Sequence, residues 1–172
     1  MNLSEANSSL STTESDPFLM RNTKWSWIPG GPAGTLITLE AMANLARKGL
    51  NDAYPFAIAC IENVDALTIR KVDGFLRSSF VYREEENEVL RGVDWLVAHG
   101  FEGDCDDMAI MGASMTKSIG FPSRFTAIKP YNPDEFEHVF CEVRIGTDWI
   151  PIDPTVPYGT VYQHYGMVHE YV

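Results

Sequence analysis

Apolar residues recur every three or four positions along much of the chain, the spacing that places side chains on one face of a helix. Leu39 and Met42 illustrate the repeat, which Gly49 interrupts. By this criterion helices are predicted over about 36–48, 52–61, 64–79 and 89–98. The turn-rich residues 28–34 and the mostly acidic run 83–86 are predicted to be links between elements.

A further predicted helix begins beside a cysteine. Asp104 is a favourable N-cap, Met108 starts an apolar stripe, and Gly120 followed by Pro122 ends the segment. Cys105 is therefore expected in the first turn of a helix of roughly four turns. The unpaired N–H groups and the positive end of the helix dipole at that position are expected to lower the thiol pKa and favour the thiolate.

The period changes from helical to alternating after this helix. Strands are predicted over 123–129, 136–145 and 149–153, with turns at 130–134 and 146–148. Such short connections join antiparallel strands, so the three strands are expected to form a meander. Helices followed by a small antiparallel sheet make an α+β fold. The tyrosine-rich tail from Pro154 onward is expected to wrap the surface.

The second predicted strand places a histidine on the face that does not point into the core. Alternation puts His138 and Phe140 on one face, and Val139 and Cys141 on the other. The second set is mostly apolar and is expected to face the core. Asp153 ends the next strand, where antiparallel pairing would bring it beside His138.

Cys105, His138 and Asp153 are the residue types of a nucleophilic cysteine triad. The thiol attacks a carbonyl, the imidazole takes up and returns the proton, and the carboxylate fixes the imidazole tautomer. The Cys105 backbone N–H, at a helix start, is a natural donor to the oxyanion. Trp95 and Tyr82 are candidates for a second oxyanion donor or for substrate contacts, with packing in the core as the alternative for each.

Four ordered blocks carry a family resemblance. They are Gly103-Asp104-Cys105-Asp106-Asp107, Gly120-Phe121-Pro122-Ser123-Arg124, His138-Val139-Phe140-Cys141-Glu142-Val143 and Trp149-Ile150-Pro151-Ile152-Asp153-Pro154-Thr155. In this order and at these gaps the blocks resemble the transglutaminase-like cysteine-enzyme superfamily, including small members from bacteria and tailed-phage gene clusters. The resemblance implies a papain-like α+β fold with a central helix bearing Cys105 as nucleophile, His138 as base and Asp153 as orienting acid. Val139-Phe140 replaces the usual Ala-Trp, and Phe140 still offers an aromatic ring beside the site.

Composition narrows the classes of partner. The formal charge is −11 with no cluster of Lys and Arg, which argues against nucleic acid or an anionic membrane surface. No apolar run is long enough to span a bilayer, no signal peptide is visible, and the three cysteines show no pairing pattern, so a cytoplasmic protein is expected. Residues 1–16 are rich in small polar side chains and are expected to form a flexible arm, with one domain over 17–172 and its core motifs over 103–155.

Metal binding is an alternative interpretation of the same residues. A zinc site from Cys105, His138 and Cys141 is disfavoured because residues three apart on a strand point to opposite faces. Asp106 and Asp107 are expected to complement the helix N-terminus rather than to bind a cation, although their charge opposes thiolate formation. No metal or other cofactor is predicted.

The expected activity is attack on a peptide or amide bond through a thioester. Hydrolysis of a protein or peptide substrate is favoured over cross-linking, because no module for a second substrate is evident. The alternative is a non-catalytic structural or assembly protein, such as a phage virion component. In that case the N-terminal arm and the tyrosine-rich tail would contact phage or host proteins.

Overall fold

The computed structural model describes residues 32–83, 89–131 and 133–172, so the predicted arm over 1–16 lies outside the described residues. Within these ranges the helices are α1 (Pro32–Lys48), α2 (Leu50–Ile58), α3 (Asp65–Ser79), α4 (Val93–His99) and α5 (Cys105–Ser118). The strands are β1 (Val81–Tyr82), β2 (Glu102–Gly103), β3 (Ser123–Ile128), β4 (His138–Ile145), β5 (Asp148–Ile152) and β6 (Met167–Tyr171). The predicted α+β class, with helices first and an antiparallel sheet after them, is confirmed.

The larger sheet has the order β5-β4-β3-β6, and each neighbouring pair is antiparallel. The three predicted strands form the expected meander, with Phe125 opposite Cys141 and Cys141 opposite Ile152. Val81 and Tyr82 of β1 pair with β2 in a separate, parallel two-stranded sheet. This small sheet was not predicted, because two-residue strands leave no alternation in the sequence.

Helix α5 lies at the centre of the molecule, and every residue from 106 to 116 is buried. It packs against α1, α2, α3 and the sheet. Gly112 permits this close approach, because a Cβ there would stand 3.2 Å from Leu76 and 3.5 Å from Ile152. The helix that carries Cys105 is thus held from several sides, which fixes the position of its first turn.

Two helix starts differ from the sequence expectation. Helix α1 begins at Pro32 rather than near 36, so part of the predicted link over 28–34 is helical. Proline is well tolerated in the first turn, where its missing N–H has no acceptor within the helix. Helix α4 begins at Val93 rather than 89, because Gly92 is extended at its N-cap position.

The C-terminal tail, which was predicted to wrap the surface, also contributes a strand to the sheet. Its last residues form β6, which pairs with β3 along Arg124 to Ile128, so the sheet has four strands where three were predicted. Backbone hydrogen bonds of 2.9 and 3.1 Å join Lys129 to Tyr165 and Gly166 and align the strand. Because β6 follows β5 after a long connection, no short turn in the sequence indicates its partner. The segment between β5 and β6 passes over Asp153.

Candidate active site

Cys105 is the first residue of α5, as predicted. Asp104 caps the helix, and one of its carboxylate oxygens accepts from the Asp106 N–H at 3.2 Å. In this first turn the Cys105 N–H has no acceptor within the helix. Of the three free cysteines, Cys60 and Cys141 are buried and Cys105 is partly exposed.

The environment of the Cys105 thiol reverses one expectation. Burial raises the pKa of the thiol, and the carboxylates of Asp106 and Asp104 raise it further. The sulfur donates toward Asp106 Oδ1 at 3.6 Å. A hydrogen bond from the Val139 N–H acts in the opposite direction but does not balance these effects. The pKa of the thiol is therefore raised rather than lowered as predicted, because burial and two nearby carboxylates disfavour the thiolate.

His138 and Asp153 are in direct contact, as the strand pairing predicted. His138 opens β4, and its Nε2 is 2.6 Å from Asp153 Oδ2. Cys141 pairs with Ile152, so Asp153 leaves β5 beside the start of β4. With Nε2 directed at the carboxylate, Nδ1 is the ring nitrogen left for a reacting proton. The helix of Cys105 packs against β4, and the N–H of Val139, the residue directly after His138, lowers the pKa of the Cys105 thiol.

Asp153 is held as a carboxylate by several donors. Its Oδ1 accepts from the Thr155 N–H at 3.0 Å and from the Thr155 hydroxyl at 2.5 Å. Its Oδ2 accepts from the Tyr162 hydroxyl at 2.7 Å as well as from His138. Burial acts to raise the pKa of Asp153, but the hydrogen bonds from His138, Thr155 and Tyr162 outweigh it and the net pKa is lowered. The carboxylate therefore stays ionised at neutral pH.

Arg77 on α3 fixes the backbone that carries Asp153. Its guanidinium donates to the carbonyl oxygens of Asp153 at 2.6 Å, Pro154 at 3.2 Å and Val156 at 2.5 Å. Asp73, one helical turn earlier, accepts from Arg77 Nε at 2.7 Å. These contacts tie the chain leaving β5 to a helix that itself packs on α5. Arg77 thus holds the backbone of Asp153, while Thr155 and Tyr162 hold its carboxylate.

The three aromatic candidates occupy different places. Phe140 is buried beside His138, with the ring centroids 5.9 Å apart, and Tyr162 stacks on Phe140 at 4.5 Å. Trp95 stacks on His99 at 4.1 Å and lies under Arg91 rather than at the His138–Asp153 contact. Tyr82 is half-exposed on β1, opposite Gly103 in the approach to Cys105. Phe140 is therefore the candidate that the fold brings against the imidazole.

Asp107 pairs with a cation rather than facing the helix N-terminus alone. Its oxygens accept from the Arg91 N–H at 3.0 Å and from Arg91 Nη1 at 2.7 Å. Burial raises the pKa of Asp107 to about 7, the charge of Asp104 adds to this, and Arg91 opposes it. A Cβ on Gly103 would overlap the Asp107 side chain, so the residue before the N-cap must be glycine. This pair connects the segment before α4 to the helix that begins at Cys105.

Two of the sequence blocks meet across the sheet. Arg124 Nε is 2.7 Å from Glu142 Oε2, and the Thr126 hydroxyl donates to the same oxygen at 2.5 Å. His169 of β6 joins through its Nδ1, 2.8 Å from the Thr126 hydroxyl. Burial lowers the pKa of His169, and the charge of Arg124 lowers it further. These contacts tie β3, β4 and β6 together on the sheet face that His138 shares.

The start of α5 carries a cluster of side chains of the types that bind metal ions. Among the residues that the structure describes, Asp104, Cys105 and Asp106 place one ligand atom each within 4.8 Å of one another. They are three consecutive residues, and the carboxylate of Asp104 already accepts the capping hydrogen bond. Cys141 is fully buried on the core side of β4, away from the face of His138, so the zinc set considered from the sequence is not assembled.

Comparison with known proteins identifies the family. The family model of the transglutaminase-like superfamily matches residues 60–154. This range is more than half of the chain and includes Cys105, His138 and Asp153. The chain belongs to the transglutaminase-like superfamily. A search of curated proteins finds no significant match.

Solved structures share the fold of this transglutaminase-like chain. A candidate cysteine protease from Cytophaga hutchinsonii matches with a TM-score of 0.50 and 24% identity over 64% of this chain. A candidate protease from Parabacteroides distasonis matches with a TM-score of 0.51 and 13% identity over 67%. The chain spans 37% and 26% of those two proteins, respectively. None of the described helices is long and apolar enough to cross a bilayer.

The residues that hold Asp153 in this transglutaminase-like chain were not predicted from the sequence. The sequence contained weak indications of two of them. Thr155 belongs to the last of the four sequence blocks, and Arg77 follows Asp73 by four residues on a predicted helix, a spacing that favours an ion pair. Tyr162 left none beyond the tyrosine content of the tail. A cavity of about 320 Å³ lies between α3, β5 and residues 156–162, and Asp153 and Tyr162 form part of its wall. The tail therefore builds part of the site's surroundings.

Proposed function

We propose that this transglutaminase-like chain is a cysteine enzyme that hydrolyses a peptide or amide bond through a thioester. The observation that supports the proposal is the contact of His138 with Asp153 on a strand against which the helix of Cys105 packs. His138 Nε2 lies 2.6 Å from Asp153 Oδ2, and the N–H of the next residue, Val139, lowers the pKa of the Cys105 thiol. A nucleophile, a base and an orienting carboxylate in this arrangement suit acyl transfer.

The proposed reaction begins from a neutral thiol and imidazole, since burial and two carboxylates disfavour the isolated thiolate. His138 Nδ1 takes the thiol proton as the Cys105 sulfur bonds to the carbonyl carbon. The oxyanion is stabilised by the Cys105 N–H at the helix start. The imidazolium then protonates the leaving amine, the carbon–nitrogen bond breaks, and a thioester remains.

Water completes the cycle. His138 removes a proton from water as the carbon–oxygen bond forms, and the carbon–sulfur bond breaks as the sulfur recovers its proton. The same thioester would pass to an amine in a transferase, so the acceptor distinguishes the two activities. We favour water because the two solved structures described above are candidate proteases. Protein or peptide substrates and a cytoplasmic location are part of this proposal.

The test is cleavage of denatured protein substrates and release of ammonia from glutamine peptides by the full chain, with and without a primary amine. Cys105→Ala and His138→Ala are each expected to reduce turnover by about three to six orders of magnitude. Cys60→Ala, at a buried cysteine away from β4, is the matched control and should retain activity. Incorporation of the amine in place of hydrolysis would reassign the enzyme as a transferase.

The structural alternative has a separate outcome. If Cys105→Ala folds and the wild-type chain neither cleaves nor transfers, a non-catalytic role such as that of a phage virion component replaces the proposal. Co-purification of wild type and Cys105→Ala with the same assembled particle would be the positive sign of that role.

A further inference from the structure

Tyr162 touches the proposed catalytic residues without belonging to any of the sequence blocks. Its hydroxyl donates to Asp153 Oδ2 at 2.7 Å, and this is the oxygen that lies 2.6 Å from His138 Nε2. Its ring stacks on Phe140 at 4.5 Å and lies nearly parallel to His138, with 6.5 Å between centroids. One side chain therefore contacts the carboxylate and covers the rings beside it.

Tyr162 and His138 both donate to Asp153 Oδ2, so the two hydrogen bonds compete for the negative charge of that oxygen. Each hydrogen bond disperses negative charge from Oδ2, so the Tyr162 bond weakens the stabilisation that Asp153 can give to a positively charged imidazole. Thr155 draws on the other oxygen in the same way. A weaker stabilisation of the imidazolium also disfavours transfer of the thiol proton from Cys105 to His138 before a substrate arrives.

We propose that Tyr162 is a positioning residue that holds the resting Cys105–His138 pair in its neutral form, by sharing Asp153 Oδ2 with His138. The inference rests on the proposed function, because it assumes that Cys105 and His138 exchange a proton. It assigns the tail between β5 and β6 a role in the chemistry beyond covering the sheet.

Other charged groups face the same site and act in known directions. Asp104 and Asp106 at the start of α5 disfavour the thiolate. Asp73 and Arg77 on α3 lie near Tyr162 with opposite charges, and burial together with Asp153 raises the pKa of the Tyr162 hydroxyl, so it remains a donor at every working pH. All four charged groups are unchanged in a variant that removes only the hydroxyl.

The experiment is the rate of iodoacetamide alkylation of Cys105 against pH, read by mass mapping of the full chain, which needs no substrate. Tyr162→Phe keeps the ring stack and is expected to move the curve to lower pH by about half to one unit, equivalent to roughly 3- to 10-fold faster labelling on its rising limb. Tyr165→Phe, at an exposed tyrosine of the same segment, should overlay wild type. Thr155→Val should move the curve in the same direction as Tyr162→Phe.

Three results would overturn the inference. A Tyr162→Phe curve that overlays wild type, or that moves to higher pH, removes the proposed competition. Faster labelling of Cys60 and Cys141 with no change in the midpoint would show that Tyr162 only stabilises the fold. If Tyr162→Phe does not fold, an unshifted Thr155→Val curve is the overturning result.

His138→Ala separates this inference from the proposed function. Loss of the imidazole is expected to slow alkylation of Cys105 near neutral pH, because no base remains to accept the thiol proton. If His138→Ala labels as wild type does, the Cys105–His138 pair fails and the role of Tyr162 fails with it. If His138→Ala is slow and Tyr162→Phe is unshifted, only the role of Tyr162 fails.

Discussion

Asp106 is expected to restrain the nucleophile, and its removal provides a quantitative test. The Cys105 sulfur is 3.6 Å from Asp106 Oδ1. Two unit charges at that separation repel by about 1 kcal/mol at the dielectric constant of water and by about 4–5 kcal/mol at an effective value of 20. A free energy of about 1.4 kcal/mol corresponds to one decade in the thiolate population. Asp106→Asn should therefore raise the thiolate population at neutral pH about fivefold or more.

The assay is alkylation of Cys105 by iodoacetamide at pH 7, with buried Cys60 and Cys141 as references within the same chain. Asparagine keeps the shape of the side chain and the backbone N–H that Asp104 caps, so the helix start is preserved. Asp148→Asn is the matched control, because Asp148 is exposed at the far end of β5. An Asp106→Asn rate equal to that of wild type would refute the electrostatic account of the raised thiol pKa.

Two further predictions concern the residues that brace the site. Because burial raises the pKa of Asp107 to about 7, above its ordinary value of 3.8, ionisation of this side chain costs the folded state stability as pH rises toward 7, and Arg91 offsets part of that cost. Urea unfolding should show wild type losing about 3 kcal/mol relative to Asp107→Asn between pH 5 and pH 8, and parallel pH dependences would contradict this. Arg77→Met should lower the free energy of unfolding by about 3 kcal/mol, because it leaves Asp73 unpaired and three carbonyls without their donor. Arg70→Met, an exposed neighbour on α3, should cost much less, and equal losses would reject the bracing role.

The sequence predicted the central features of the site because each depends on a local signal. A cap and an apolar helical stripe placed Cys105 at the start of α5, and alternation placed His138 on the outer face of β4. The short turn after β4 then made the next strand its antiparallel neighbour, which brought Asp153 to His138. Such short-range patterns depend on backbone geometry alone and survive in almost any tertiary context.

Tertiary structure decided the quantities that depend on distant neighbours. The thiol pKa is raised because the thiol is buried and two carboxylates lie beside the sulfur. The sequence indicated the helix terminus and the opposing charge of neighbouring aspartates, but not the burial. Likewise, β6 pairs with β3 and Tyr162 reaches Asp153 only after a long connection folds back over the sheet. Periodicity fixes the direction of a side chain within its own element, but burial, charge proximity and long-range pairing are set by how the elements pack together.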